Sequence, residues 1–555
     1  MAQQQINVNL PSVGSSGLNT ETSPIVQNYS FAAVAENAVI DSLGRIASRF
    51  AFSTRTVNFP SLPAIPSAVS HNIVIDIIEG SLINEAVSVL CTGRYIGYNS
   101  DGLPIGEQAY IFEQQGDDLV EIAFPALNDD TTLKTAMIVP TEDRFYIYSA
   151  TNEVLVWDGA TVTTMASQVG YQPIENVASI FETPTFDRAI AAYGRIWATG
   201  HDGDMNTVYY SDLLIGASNF TVSGVDPLST AGKLNVLENW PNGKDSIQAL
   251  ESHDNRLIIF GKESILIYNS GYGDPADPSS GFTLEDTISN VGCVSKYSIV
   301  NIGTDVLFVD ATGVRSLGRT IQERSSPMGD LTNNVRSDFS VLVSSTLDPE
   351  TVKMEHDNNN NLVVVLFGDD SLAYCLDMKA YRSAGTAKIT RWTNCYFSDM
   401  TYVDAINPNF YLAGDEGLGV LEYSGYLSAQ DNFTFKYYSN QLTFDEPARL
   451  KFLKQVDMTI ITSLAPSTAF VKWGYNTLDS FKSKSLVLDA VEPYYYTESE
   501  YTVALFGGSA STLKRYRANV SGSGEAVKIG LEVTIDGNGC SLQEINIQTL
   551  IGRIR

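Results

Sequence analysis

The chain has 555 residues, with 35 Lys and Arg against 64 Asp and Glu, a formal net charge of −29. That length allows two to four domains and a large buried core. That charge speaks against a surface that grips nucleic acid by neutralising phosphates. Five scattered cysteines with no Cys-x-x-Cys pair argue against a disulfide framework or a zinc site and read as buried thiols.

Residues 1–70 read as an N-terminal segment. Residues 1–22 are polar and rich in Gln, Ser and Gly, with no charged head and apolar core of a secretory signal, so synthesis and folding in a cytoplasm are expected. No apolar stretch reaches the length that spans a bilayer. Phe31, Val34, Ala35, Ala38 and Val39 fit a helical face, but residues 37–52 also fit a hairpin, which we favour because Gly44 supplies the positive φ that such a turn often needs. Pro60, Pro63 and Pro66 then mark an extended linker.

Residues 71–430 carry one motif over and over: an apolar run, a Gly/Asp/Asn turn, and a second apolar run. The clearest copy is residues 256–260, Gly261-Lys262-Glu263, then residues 265–268. Others start at Phe145, Arg195, Val306, Leu362 and Phe410, and a fainter one turns at Asn99-Ser100-Asp101-Gly102. Hairpins returning every 40–50 residues or so predict an all-β fold with a β-propeller of six or seven blades. One insertion predicts a helix capped by Asp330, with Leu331, Val335, Phe339 and Leu342 along one face.

Residues 431–555 change rhythm. Val527, Ile529, Leu531, Val533 and Ile535 alternate with polar neighbours, the turn Asp536-Gly537-Asn538-Gly539 follows, and Ile545, Ile547, Thr549 and Ile551 alternate on the return. This pattern predicts a half-buried antiparallel pair, and with residues 458–461 and 501–506 a small β-sandwich. Charge divides at the same boundary. From residue 431 onward there are 13 basic and 13 acidic residues, leaving 22 basic against 51 acidic in residues 1–430.

Motifs for chemistry are scarce. Four histidines, His71, His201, His253 and His356, have no metal-ligand spacing, and no zinc-protease, nucleophile-elbow, Walker or dinucleotide fingerprint is present. Asp202, Asp204 and Asn206 begin like a calcium loop, but Thr207 and Leu213 stand where Gly and Glu are needed, so a plain turn is expected. Glycosidase propellers need two carboxylates across a sugar, and no motif marks such a pair here. Lys514-Arg515-Tyr516-Arg517 is the best basic-aromatic cluster, and on a strand its charges do not all share a face. Neither a catalytic residue, a cofactor nor a metal is therefore predicted.

The two ends carry a resemblance. Residues 17–24 (Gly-Leu-Asn-Thr-Glu-Thr-Ser-Pro), residues 37–49 from Asn37 to Arg49, residues 194–198 with 208–212, and the ending from Gly530 resemble segments of tail proteins of short-tailed bacteriophages, the tail nozzle or tail tubular protein B family. The resemblance implies a structural virion protein, not an enzyme. It would be assembled in the host cytoplasm as a homo-oligomeric ring of six copies below the portal and its adaptor, extending the channel for genome retention and ejection. Double-stranded DNA would pass through transiently, and tail fibres would be further partners. Leu18, Pro24, Gly44, Arg45, Arg49, Lys514, Arg515 and Arg517 are then the candidates for adaptor or subunit contacts, and removing residues 1–45 is expected to block attachment while leaving a folded propeller. The like-charged acidic propeller would keep sliding friction on DNA low. The alternative is a propeller that recognises a receptor or glycan, and behind it a glycan-degrading enzyme.

Overall fold

The structure, a computed structural model, describes residues 4–127, 132–167, 185–212, 231–241, 243–269, 283–323, 330–381, 386–429, 432–462, 466–476, 480–489 and 512–554. Seven antiparallel sheets form a β-propeller, at residues 70–122, 137–164, 188–235, 247–289, 299–316, 352–393 and 397–423. Six are four-stranded blades, and the fifth sheet, Ile299–Asn301, Val306–Asp310 and Gly313–Ser316, has three strands. The repeated hairpins are the middle strands of these sheets, and their apolar runs bury on both faces between neighbouring blades. Trp157, Trp197 and Trp392 anchor such interblade clusters at 1 % exposure.

The ring closes in two ways. The innermost strand of the last blade, Phe397–Val403, packs against that of the first, Ser70–Ile83. There the Asp399 carboxylate accepts from Ile78 N at 3.0 Å and Thr401 Oγ1 accepts from Gly80 N at 3.1 Å. Gly80 is required at this approach, because a Cβ there would meet Val403 Cγ2 at 2.3 Å. At the rim, Phe52–Thr54 from the N-terminal segment pairs with Val420–Tyr423 as the outer strand of the last blade. The propeller therefore does not begin at residue 71: it borrows its last strand from the preceding segment.

Both ends of the chain build the sandwich. Its outer sheet runs Ala38–Ile40, Ile46–Ser48, Cys540–Ile554, Arg449–Thr462, Thr512–Asn519, with Gln4–Pro11 also paired along Cys540–Ile554. The second layer continues the sixth blade. Beyond Lys388–Thr393 come Ala32–Glu36, Phe433–Ser439, Val527–Ile535, Ser467–Tyr475 and Lys482–Leu488, nine strands in all. The pivot is Glu36, which pairs in parallel with Arg391 and opposite Lys436 and makes ion pairs with both side chains. The two layers and the sixth blade share the largest apolar cluster.

The strands 527–535 and 540–554 are not hydrogen-bonded partners; they lie in different layers and face each other across the core. The turn at residues 536–539 crosses between layers because the last strand finds partners in Arg449–Thr462 on one side and Gln4–Pro11 on the other. Asp330 caps no helix. Its carboxylate binds Arg315 and Arg336, and the helix spans Arg336–Ser345 with Phe339 buried. Residues 501–506 lie outside the described residues.

Candidate functional site

The innermost strands enclose an axial cavity of about 150 Å³. Its polar lining is ionic: Glu79 from the first blade, Lys353 and Glu355 from the sixth, Asp399 from the seventh, and Lys296 with Tyr297 from the turn before the fifth sheet. Lys296 Nζ donates to Thr135 O at 2.7 Å and to Asp187 Oδ1 at 2.8 Å. Burial would raise the Asp187 carboxyl, but Lys296 and Arg188 outweigh it and hold it low. Lys353 Nζ lies 3.3 Å from Asp399 Oδ1 and 4.6 Å above the Tyr297 ring. Burial lowers the Lys353 ammonium, against the pull of Asp399. These contacts tie the second, third, sixth and seventh sheets across the axis.

Among the described residues, no cation pairs with the two glutamates. Burial pushes Glu355 up to about 8, and burial with the neighbouring Glu355 pushes Glu79 well above the usual carboxylate range. Burial thus favours the neutral form of both, and Glu355 holds its proton at neutral pH to a large extent. Perturbed acids in a cavity are the ordinary mark of a catalytic site, yet the space is well below the roughly 300–1,000 Å³ of ordinary ligand pockets. Sequence reading missed this cluster because it followed the middle strands. The available signal was a charged residue inside an apolar innermost strand, as in Ile78-Glu79-Gly80 and Lys353-Met354-Glu355.

The residues singled out in the sequence converge elsewhere, at the sandwich and its seam with the propeller. The hairpin Ala38–Ile40 with Ile46–Ser48 turns at Gly44, φ 77°. Arg45 Nε donates to Asp41 Oδ2 at 2.6 Å within that turn. The hairpin meets the end of the chain: Ser541 Oγ donates to Asp41 Oδ2 at 3.1 Å, and Cys540 N donates to Ser48 Oγ at 3.0 Å. Pro24 is exposed, and its carbonyl accepts from Gln441 N. Leu18 and Arg49, expected among contact residues, are interior: 4 % and 1 % exposed. Leu18 N donates to Ile389 O of the sixth blade, so this residue packs the seam.

Arg49 lies with its guanidinium between the rings of Phe52 and Phe433, at 4.0 and 4.1 Å from their centroids. Its Nε donates to Asn37 Oδ1, Nη1 to Phe50 O and Nη2 to Thr393 O. Thr512–Asn519 splits its charges as expected: Arg515 and Arg517 point outward and both bind Asp457 on Arg449–Thr462, while Lys514 pairs with Asp489 from the other side of the strand. The outward face around them is polar across four strands, with Gln455, Asn546, Gln548 and Asn7 in register. The calcium-like loop is a turn whose Asp204 carboxylate accepts from Asn206 N and Thr207 Oγ1; Leu213 lies outside the described residues.

Among the described residues, no group of three or more His, Cys, Asp or Glu side chains is placed to hold a metal ion, and no helix is long and apolar enough to cross a membrane. No family model and no curated protein matches the chain. Solved structures similar in fold include YCF48 bound to a peptide (11 % identity, TM-score 0.31, covering 67 % of this chain and 97 % of that one). PorZ, a surface component of the type-IX secretion system of Porphyromonas gingivalis, is 13 % identical with TM-score 0.32, covering 67 % and 43 %. An exo-β-1,3-galactanase from Phanerochaete chrysosporium is 7 % identical with TM-score 0.24, covering 91 % and 100 %. Likeness of this order carries no functional argument; the chain is a β-propeller protein with a two-layer sandwich built from both of its ends.

Proposed function

We propose that the protein is a structural ring component of a bacteriophage tail, a nozzle that extends the channel below the portal and adaptor. The observation that carries this reading is convergence. Of the segments resembling nozzle proteins, residues 37–49 and the ending from Gly530 lie almost five hundred residues apart in sequence and meet in one sandwich through Ser541–Asp41 and Cys540–Ser48. Residues 17–24 join the seam through Leu18 N and Ile389 O, and residues 194–198 with 208–212 lie apart, in the third blade. A resemblance scattered by chance over two ends has no reason to fall on one structural unit.

In such a ring DNA would travel between subunits, along a channel bounded by several copies. The excess acid of residues 1–430 would then repel the duplex, while the neutral sandwich makes contacts between copies, where unpaired charge is costly to bury. The experiment is the solution mass of the purified protein, with negative-stain images of it alone and with adaptor rings. Rings whose central hole has the width of a duplex, alone or on the adaptor, are expected. A monomer indifferent to the adaptor would sink the reading and bring glycan binding forward.

A further inference from the structure

Arg49 presents a problem of charge. It is 1 % exposed, and no carboxylate among the described residues pairs with it. Burial lowers its guanidinium to about 10, so it stays protonated at neutral pH. The ionisable groups nearest it, the Cys395 thiol and the Tyr423 phenol, are themselves pushed up by burial, to about 12 and well above the usual phenol range. Both are neutral at pH 7 and supply no counter-charge. The rings of Phe52 and Phe433, with that of Trp392 at 5.8 Å, soften the cost through cation–π attraction, but this falls short of what an unpaired buried ion costs.

The geometry leaves room for a remedy. Arginine has five N–H donors, and three hydrogen bonds are made, to Asn37, Phe50 and Thr393. Arg49 also borders a cavity of about 40 Å³, whose other polar lining is Asn394, Tyr396 and Ser428, with Phe52 and Phe433 among its apolar walls. A single water needs roughly 10–15 Å³ by the same kind of measure, so the space takes a small ion and excludes an organic acid. Asn394 and Tyr396 are exposed, which gives the cavity a way in from solvent. Water filling the space would satisfy the hydrogen bonds but leave the charge.

We propose that this cavity, at the seam of sandwich and last blade, binds one monovalent inorganic anion of chloride size against Arg49. The anion takes the N–H groups not engaged by Asn37, Phe50 and Thr393, and the Asn394 amide closes the site. Its consequence is a chloride-dependent lock between the N-terminal hairpin, the seventh blade and the sandwich, all of which Arg49 touches.

The test uses the full chain, melted at constant ionic strength in sodium chloride or in sodium gluconate, an anion too large for the cavity. The folding equilibrium constant is expected to rise about tenfold for each tenfold rise in chloride above its dissociation constant, and Arg49→Gln should abolish that dependence. If Arg49→Gln does not fold, Asn394→Gly replaces it: φ is 59° at Asn394, so glycine removes the amide without backbone strain. That variant should shift the chloride midpoint to higher concentration. Line broadening of the chloride-35 resonance by the wild-type protein, reversed by bromide, is an independent readout. Equal melting in both salts without such broadening overturns the proposal, and so does a chloride dependence that either variant leaves intact.

Discussion

The propeller and the sandwich are both antiparallel β structure with apolar interiors, yet they are assembled on opposite plans. Six of the seven propeller sheets come from single continuous stretches of chain, each a run of neighbouring hairpins. The sandwich takes strands from residues 4–48 and 433–554, and its central members pair partners more than four hundred residues apart, as in Ala32–Ser439 and Gln4–Ile551. Local pairings form at small loop-closure cost, while distant ones must wait for the chain ends to meet. The propeller is thus expected to fold first and the sandwich to record whether both ends have arrived.

Deleting residues 1–45 tests that contrast with the largest effect. The deletion removes Ala32–Glu36, the strand joining the sixth blade to the sandwich, together with Gln4–Pro11 and Ala38–Ile40, but spares Phe52–Thr54, which closes the propeller. Limited proteolysis read by mass spectrometry should show cleavage throughout residues 431–555 and protection of the blades. Loss of virion attachment in such a truncation would therefore report a broken sandwich as much as a missing contact. A truncated chain with a protected sandwich would contradict the two-ended assembly.

Arg49→Ala should come next, at about 3 kcal/mol or more. It empties the space between Phe52 and Phe433 and strips donors from Asn37, Phe50 and Thr393. Because Arg49 lies on the seam, the propeller and sandwich transitions in a calorimetric scan should separate. Leu531→Ala in the sandwich and Leu266→Ala in the fourth blade should each cost about 2–5 kcal/mol, since both side chains are fully buried. The sharper point is locality: in the Arg49→Ala background, where the two transitions are separate, each should lower only the transition of its own region.

How much of this was legible follows the same division. The blades were, because each hairpin announces itself within a dozen residues: Ile258 and Ile267 pair across a turn that the sequence spells out. The sandwich was half legible. Alternation from Val527 to Ile535 marked a strand buried on one face, but nothing local says that its neighbours are Phe433–Ser439 and Ser467–Tyr475 rather than the strand next in the chain. Arg49 looked like a surface cation because arginine usually is one; its burial follows from Phe433, almost four hundred residues away. The axial acids escaped for the same reason, since Glu79 and Glu355 meet only once the ring has closed.

The axial acids give the propeller an expected dependence on pH. Glu355 has an ordinary value of 4.5 when unfolded and about 8 when folded. The folded state thus holds a proton that the unfolded chain has released, and stability falls as pH rises from about 4.5 to about 8. Glu355→Gln stays neutral throughout. It should melt like the wild type near pH 4.5 and be more stable at pH 8, by on the order of 1–3 kcal/mol. Identical pH profiles for the two proteins would mean that the axial carboxyl is solvated and not strained.

The smallest effect belongs to the outer face of the sandwich. Asp457 is 2 % exposed and carries a charge that must be met. Arg515 meets it at 3.0 Å, Arg517 at 3.2 Å, and Gln455 donates at 2.8 Å. The Arg517 side chain is 65 % exposed, so removing it alone costs little more than a surface ion pair, under about 1 kcal/mol. Removing both arginines is different in kind, because it leaves a buried carboxylate with one amide. The loss from Arg515→Ala with Arg517→Ala should therefore exceed the sum of the single losses, a coupling that a double-mutant cycle reads directly. Simple additivity would show that Asp457 draws its compensation from elsewhere, and that the two arginines are free to serve a neighbouring subunit.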